Sequence, residues 1–224
     1  MAKMRPAPSS QDTPLDTKLA PTQARARATF ETVLVTAGAL LAEVGFERLS
    51  TNMVCQRAGL TPPALYRYFP NKYAILSELG RRLMDAQDEA VFAWIADGGL
   101  EARTLDEAVA KNLAVQTKVN QITREAPGGV WILRAMRAVP LLHEIRVSSR
   151  DRVARHLATH MQTLYPGASV EELMAATRLS TELMYAATEM ALEEPAAEEA
   201  RINEEVCRMI SLYYAHFDAR RFKA

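Results

Sequence analysis

Residues 50–69 read STNMVCQRAGLTPPALYRYF, and the punctuation of this stretch decides the fold around it. Ser50 is a natural N-cap, with a hydroxyl able to accept from the free N–H groups of a helix starting at Thr51. Ala58-Gly59-Leu60 forms a tight turn, because glycine takes the positive φ that such a turn requires. Thr61 then opens another helix, with Pro62 and Pro63 in its first turn, where proline's missing N–H is tolerated. This helix is expected to run through Leu65 and Phe69 and to break at Pro70. Two short helices joined by a glycine turn have helix-turn-helix spacing. Val54, Leu60, Leu65 and Phe69 then pack inward, which leaves Asn52, Pro62, Pro63, Ala64, Arg67 and Tyr68 outside. A short helix presenting an arginine, tyrosines and small residues is able to enter a DNA major groove, about 12 Å wide.

Working outward, Phe30, Val33, Leu34, Ala37, Leu40 and Leu41 recur at i, i+3, i+4 and i+7. This period predicts a helix opening at Pro21 or Thr22 and ending at Gly45. Asn71 caps a longer helix through about Ala96, with Ile75, Leu76, Leu79, Leu83, Ala86, Ala90 and Trp94 on its apolar face. Further helices are expected over 104–125, 127–138, 140–164, 169–192 and 196–218, separated by Pro127-Gly128-Gly129, Pro140, Pro166-Gly167 and Pro195. No segment alternates with period two, so the fold class is all-α. Residues 1–20, rich in Pro, Ser, Thr and Asp, read as a flexible tail. The expected division is the tail, a helix-turn-helix domain over 21–70, and a helical body over 71–224.

Among 224 residues, 49% are hydrophobic and 24% charged, which excludes a disordered chain. The zero net charge hides an asymmetry: residues 1–83 carry 11 Lys/Arg and 6 Asp/Glu (+5), and the remainder 16 and 21 (−5). A basic front on an acidic body suits an anionic partner for the front alone. Cys55 and Cys207 stand 152 positions apart, with no CxxC pair, which excludes a zinc finger and fits a reducing, cytoplasmic compartment. No uninterrupted apolar run of about 18 residues suggests a membrane span, and no apolar run follows Lys3 and Arg5 as a secretory signal requires. His156 and His160 have i, i+4 metal-ligand spacing but no acidic or cysteine partner at matching spacing, so neither a metal nor a cofactor is expected. Nucleophile elbows, phosphate loops and Ser/His/Asp signatures are lacking, which argues against an enzyme.

Residues 29–76, about a fifth of the chain, resemble the N-terminal domain of TetR-family transcriptional regulators. The resemblance rests on Phe30, Ala37, Leu41, Gly45-Phe46, Ser50-Thr51 and the run AGLTPPALYRYFPNK at 58–72. It implies a homodimer that binds a near-palindromic operator in double-stranded DNA, with a cavity for a small-molecule effector in the helical body. By position it places Ser50 and Thr51 near a phosphate and Asn52 near a base. It puts Thr61, Pro62, Pro63, Ala64 and Arg67 on the recognition helix, with Tyr66, Tyr68 and Lys72 approaching phosphates. Cys55 stands where alanine is usual, and Pro63-Ala64 where Gly-Thr is frequent. With those polar contacts gone, Asn52 and Arg67 are the best base-reading candidates.

In the body, Trp94, Trp131, Met136 and Tyr185 are either cavity wall or plain core. Asn112, Gln116 and Asn120 form an i, i+4, i+8 row, either an exposed stripe or hydrogen-bonding groups bordering a cavity. The arginines over 134–155 form either an anion pocket or a salt-bridged face. The helices near 169–192 and 196–218 form an amphipathic hairpin; pairing two hairpins makes a four-helix interface, and the alternative is closure of each monomer's own core. The functional expectation is a repressor released from DNA by its effector; the alternative is an architectural DNA-binding protein with no small-molecule switch.

Overall fold

The computed structural model describes residues 13–19 and 23–217. The rest of the expected tail, the predicted helix start at Pro21 or Thr22 and the predicted end at 218 lie outside the described residues. Among the described residues there are nine α-helices and no strand: α1 (Ala24–Arg48), α2 (Thr51–Ala58), α3 (Pro62–Tyr66), α4 (Lys72–Ala96), α5 (Leu105–Glu125), α6 (Gly129–Ala138), α7 (Pro140–Leu164), α8 (Val170–Ala191) and α9 (Ala196–Ala215). The all-α reading holds. The residues form two compact units, one of the described residues up to Arg82 with Pro127–Arg146, the other of Leu83–Ala126 with the described residues from Val147 on.

In the first unit α1 is the spine. Phe30, Val33, Leu34, Ala37, Leu40 and Leu41 are buried along one face, as their spacing predicts. The apolarity of α1 has this packing as its cause, although by length and composition alone the helix could cross a membrane. Gly45 interrupts α1 with φ 73° and ψ 169°, a region essentially reserved for glycine, and a last turn continues to Arg48. Against α1 lie α2 and α6. Gly38 is where α1 comes closest to the turn before α6: a Cβ there would stand 2.6 Å from both Gly128 N and the Pro127 carbonyl carbon.

Residues 13–19 are held by hydrogen bonds from far along the chain. Asn71 Nδ2 donates to Pro14 O (3.0 Å), and Arg81 donates to Leu15 O (3.1 Å) and Asp16 Oδ1 (2.8 Å). The Lys18 N–H reaches Tyr68 O at 2.8 Å.

The second unit packs α5 against α9 and α8, with α8 against α9. Thr104 caps α5 by accepting from the Glu107 N–H. Ser169 and Glu172 start α8 with reciprocal side-chain-to-backbone bonds of 3.1 and 2.8 Å. Leu173, Ala176, Cys207 and Ile210 sit in its core. Burial raises the Cys207 thiol to about 12, which leaves an inert packing residue.

The two nearest atoms facing Gly38 are backbone and the third belongs to the Pro127 ring, so none can rotate aside. Gly38→Ala is therefore expected to destabilise the protein by about 1–3 kcal/mol in urea unfolding, with an unchanged m-value.

Candidate nucleic-acid interface and interior cavity

The Met53 N–H donates to Ser50 Oγ (3.3 Å), so Ser50 caps α2 as its identity predicts. Gly59 ends α2 in the left-handed region, φ 65° and ψ 29°. Pro62 and Pro63 start α3, and the Ala64 and Leu65 N–H groups both return to Thr61 O. Thr51 Oγ1 and the Tyr66 hydroxyl lie 2.9 Å apart, tying the start of α2 to the end of α3. Asn71 Oδ1 accepts from the Ala74 N–H (2.9 Å) and caps α4.

The α3 helix ends at Tyr66, three residues short of the predicted Phe69. The turn that follows swings Tyr68 inward, to 5% exposure, with its ring edge-on to Phe30 at 5.8 Å. Phe69 packs on the same ring at 4.6 Å. This corrects the outward placement of Tyr68: both adjacent aromatics pack on Phe30 and are buried. Tyr66 keeps 38% exposure. Asn52, Thr61, Pro62, Pro63 and Arg67 are exposed, and Ser50, Thr51 and Ala64 partly so.

Several cations of the first unit already have carboxylate partners. Arg57 makes two bonds to Glu43 (2.7 and 2.8 Å), and Arg82 holds Glu31 and Glu78. Lys72 Nζ donates to Phe46 O (3.0 Å) and lies 4.4 Å from the Phe46 ring, so it closes the end of α1; burial lowers its pKa. Arg67 makes no ion pair among the described residues; its guanidinium lies 5.8 Å from the Tyr68 ring. The outer face of α3 thus presents one uncommitted guanidinium beside small and hydroxyl-bearing side chains.

The second unit contains a cavity of about 120 Å³. Trp94, Asn112, Gln116 and Tyr185 line it, as does Gln87, which the sequence did not single out. Asn120 does not line it. Its Nδ2 donates to Asn203 Oδ1 (3.0 Å), and its Oδ1 accepts from Gln116 Nε2 (3.1 Å) and Thr188 Oγ1 (2.8 Å), so both polar atoms of the amide are engaged. Trp131 and Met136 belong to α6 in the first unit. Trp131 is 39% exposed and stacks under Arg134, and Met136 is fully buried beside Gly80. Arg150 and Arg152 resolve as a salt-bridged face, with Asp151 and Glu182 for one and Asp85 and Asp88 for the other.

Comparison with known proteins agrees with this architecture. Residues 33–79 match the family described as bacterial regulatory proteins, tetR family, and residues 104–213 match the tetracyclin repressor-like C-terminal domain. The chain belongs to the TetR family. Over 54 residues this TetR-family chain is 43% identical to tetracycline repressor protein class C of Escherichia coli, a match spanning 24% of this chain and 25% of that protein. A TetR-family transcriptional regulator from Streptomyces coelicolor superposes with a TM-score of 0.61 at 17% identity, covering 87% of this chain and 85% of its own. SmeT, the repressor of the Stenotrophomonas maltophilia multidrug efflux pump SmeDEF, superposes at 0.60 with 20% identity over 84% and 91%. Identities this low speak for the shared fold alone. As a TetR-family transcriptional regulator, the chain carries its helix-turn-helix in α2 and α3.

The two tyrosines of α3 and its following turn should separate cleanly. Tyr68→Ala is expected to lower stability by about 3 kcal/mol or more, and Tyr66→Ala by under about 1 kcal/mol, in parallel urea titrations.

Proposed function

We propose that this regulator is a homodimeric repressor that leaves a near-palindromic operator when a small molecule occupies the cavity of its helical body. The observation that carries the proposal is the pairing, in one chain, of a helix-turn-helix whose outer face offers Arg67 without a carboxylate partner and a cavity lined by residues of α4. In this reading Asn52 and Arg67 read base edges. Ser50, Thr51 and Tyr66 approach phosphates, Thr61, Pro62, Pro63 and Ala64 fit against the groove, and Lys72 adds positive charge beside it. The proposed division assigns DNA binding to residues 21–70 and ligand binding and dimerisation to 71–224.

Dimerisation draws support from apolar side chains left in solvent on the last two helices. Leu179 and Met190 on α8 are 54% and 58% exposed, and Met209 and Leu212 on α9 are 57% and 52% exposed. A stripe of that kind on two adjacent helices marks an association surface. Two hairpins pairing through it form a four-helix interface and carry two α3 helices, whose centres must lie about 34–36 Å apart to meet successive major grooves.

Release follows from linkage: a ligand that binds better to a dimer with the wrong spacing lowers DNA affinity by its differential affinity for the two states. The lever is α4, which begins at Lys72 beside the helix-turn-helix and carries Gln87, Asp88, Val91 and Trp94 on the cavity wall. The cavity favours this reading over an architectural DNA-binding protein without an effector. SmeT, which shares the fold, is also known as a complex with triclosan. The proposed place of action is the cytoplasm, where the operator is.

Fluorescence-anisotropy titration against duplex from the chain's own upstream intergenic region, with unrelated duplex as control, tests the reading. Selective binding that weakens steeply with salt is expected. Arg67→Ala should weaken binding to the operator by about 5- to 100-fold, with less effect on unrelated duplex. Equal affinity for both duplexes would defeat the operator reading.

A further inference from the structure

Four observations about the cavity define what it takes. First, Gln87 lines it at 2% exposure, and its Oε1 is buried without a hydrogen bond. The orientation of this amide is settled by its neighbours. Gln87 Nε2 donates to Thr123 Oγ1 at 2.7 Å, and the Thr123 hydroxyl is itself committed as a donor to Val119 O at 2.8 Å. The oxygen of the amide is therefore the atom left over, and a buried carbonyl oxygen without a partner is unfavourable by itself.

Second, Trp94 Nε1 is likewise buried without a partner, on the wall of the same cavity. The indole packs closely against the Gly99 backbone: a Cβ at that position would stand 2.2 Å from the Trp94 ring. Indole N–H is only a donor, and the Gln87 oxygen is only an acceptor. The two residues are seven apart on α4, so they share one face about 10 Å apart along the helix axis.

Third, the cavity holds no charge able to balance that of a ligand. No Lys, Arg or His lines it among the described residues, and its one carboxylate, Asp88, is spoken for: Ser149 Oγ donates to Oδ1 (2.7 Å) and Arg152 Nε to Oδ2 (2.7 Å). An anion entering it would be stripped of water and meet a carboxylate; a cation would find both carboxylate oxygens occupied. Fourth, Val, Leu, Ile and Met supply nine of the twenty remaining wall residues, beside three tyrosines and a few small or amide side chains, and the volume of about 120 Å³ is close to that of an engineered apolar cavity, about 150 Å³, that binds benzene.

We propose that the effector is an uncharged, single-ring molecule with a hydrogen-bond donor at one end for Gln87 Oε1 and an acceptor at the other for Trp94 Nε1. This rests on the ligand-responsive reading above and names the chemical class that reading leaves open. The two orphan atoms serve as opposite poles of one apolar slot, so affinity comes from the ring and orientation from its two ends.

The test is calorimetric titration of the full chain with three probes, without DNA: 4-hydroxyacetophenone, which has both groups; ethylbenzene, which has neither; and 4-hydroxybenzoate, which is anionic. The expected order places 4-hydroxyacetophenone first and 4-hydroxybenzoate more than about a hundredfold weaker. Gln87→Met and Trp94→Phe should each weaken 4-hydroxyacetophenone about tenfold and leave ethylbenzene within about twofold. Gln87→Met leaves the Thr123 hydroxyl its bond to Val119, so the fold survives, and thermal melts check both variants. Anion binding as tight as that of the neutral ketone, unchanged affinity in both variants, or no heat from any probe would each overturn the assignment. Operator binding measured separately keeps the two ideas apart. Selective DNA binding without probe binding sinks the effector class alone, and probe binding without DNA binding sinks the regulator reading alone.

Discussion

The contact between Phe30 and Phe69, 4.6 Å between ring centroids, is the one on which the reading face depends. It fixes the chain immediately after α3 against the spine helix α1, and Tyr68 closes on the same ring from the side. With Leu65 also fully buried, α3 is anchored along its inner side, and its outer face is defined by what remains. That remainder is Thr61, Pro62, Pro63, Tyr66 and Arg67. The glycine turn at 59 and the hydroxyl contact between Thr51 and Tyr66 then set the angle of α3 to α2. A reading helix of five residues has too few internal hydrogen bonds to stand alone, so its order comes from this packing.

Charge in the first unit is organised in the same spirit. The basic excess of the first 83 residues does not spread as a uniform patch, because Arg57, Arg81 and Arg82 each hold an acidic neighbour. These exposed pairs contribute little stability individually, but they remove positive charge from the flanks of the helix-turn-helix. Arg67 is left on the face that the fold turns outward. In the second unit the logic runs the other way. Polar groups are buried and paired with one another, as in the Gln116, Asn120, Thr188 and Asn203 network, while on the cavity wall the Gln87 oxygen and the Trp94 nitrogen are left over.

The residues that announced themselves in the sequence did so through backbone chemistry. Gly59, Pro62, Pro63, Ser50 and Asn71 each mark a helix end for a local reason, and α7 runs from Pro140 to Leu164 as its punctuation implied. Tyr68 was misplaced because helical phase predicts a direction only while the helix lasts, and α3 stops at Tyr66. The row Asn112, Gln116 and Asn120 was legible as a polar stripe against a core, but the withdrawal of Asn120 from the cavity depends on Asn203 and Thr188, more than 60 positions away. The hold on residues 13–19 was invisible for a similar reason. Its bonds run from Asn71 and Arg81 to their carbonyls, and a short stretch without apolar period does not betray them. Gln87 looked like any glutamine on an amphipathic helix; only the commitment of Thr123 makes its oxygen conspicuous.

The central claim is that α2, α3 and the start of α4 form the surface that meets DNA. Hydrogen–deuterium exchange of the full chain, with and without its operator duplex, tests that claim most directly. The account predicts that DNA slows exchange over residues 50–72. Protection absent there and present on another surface would contradict it.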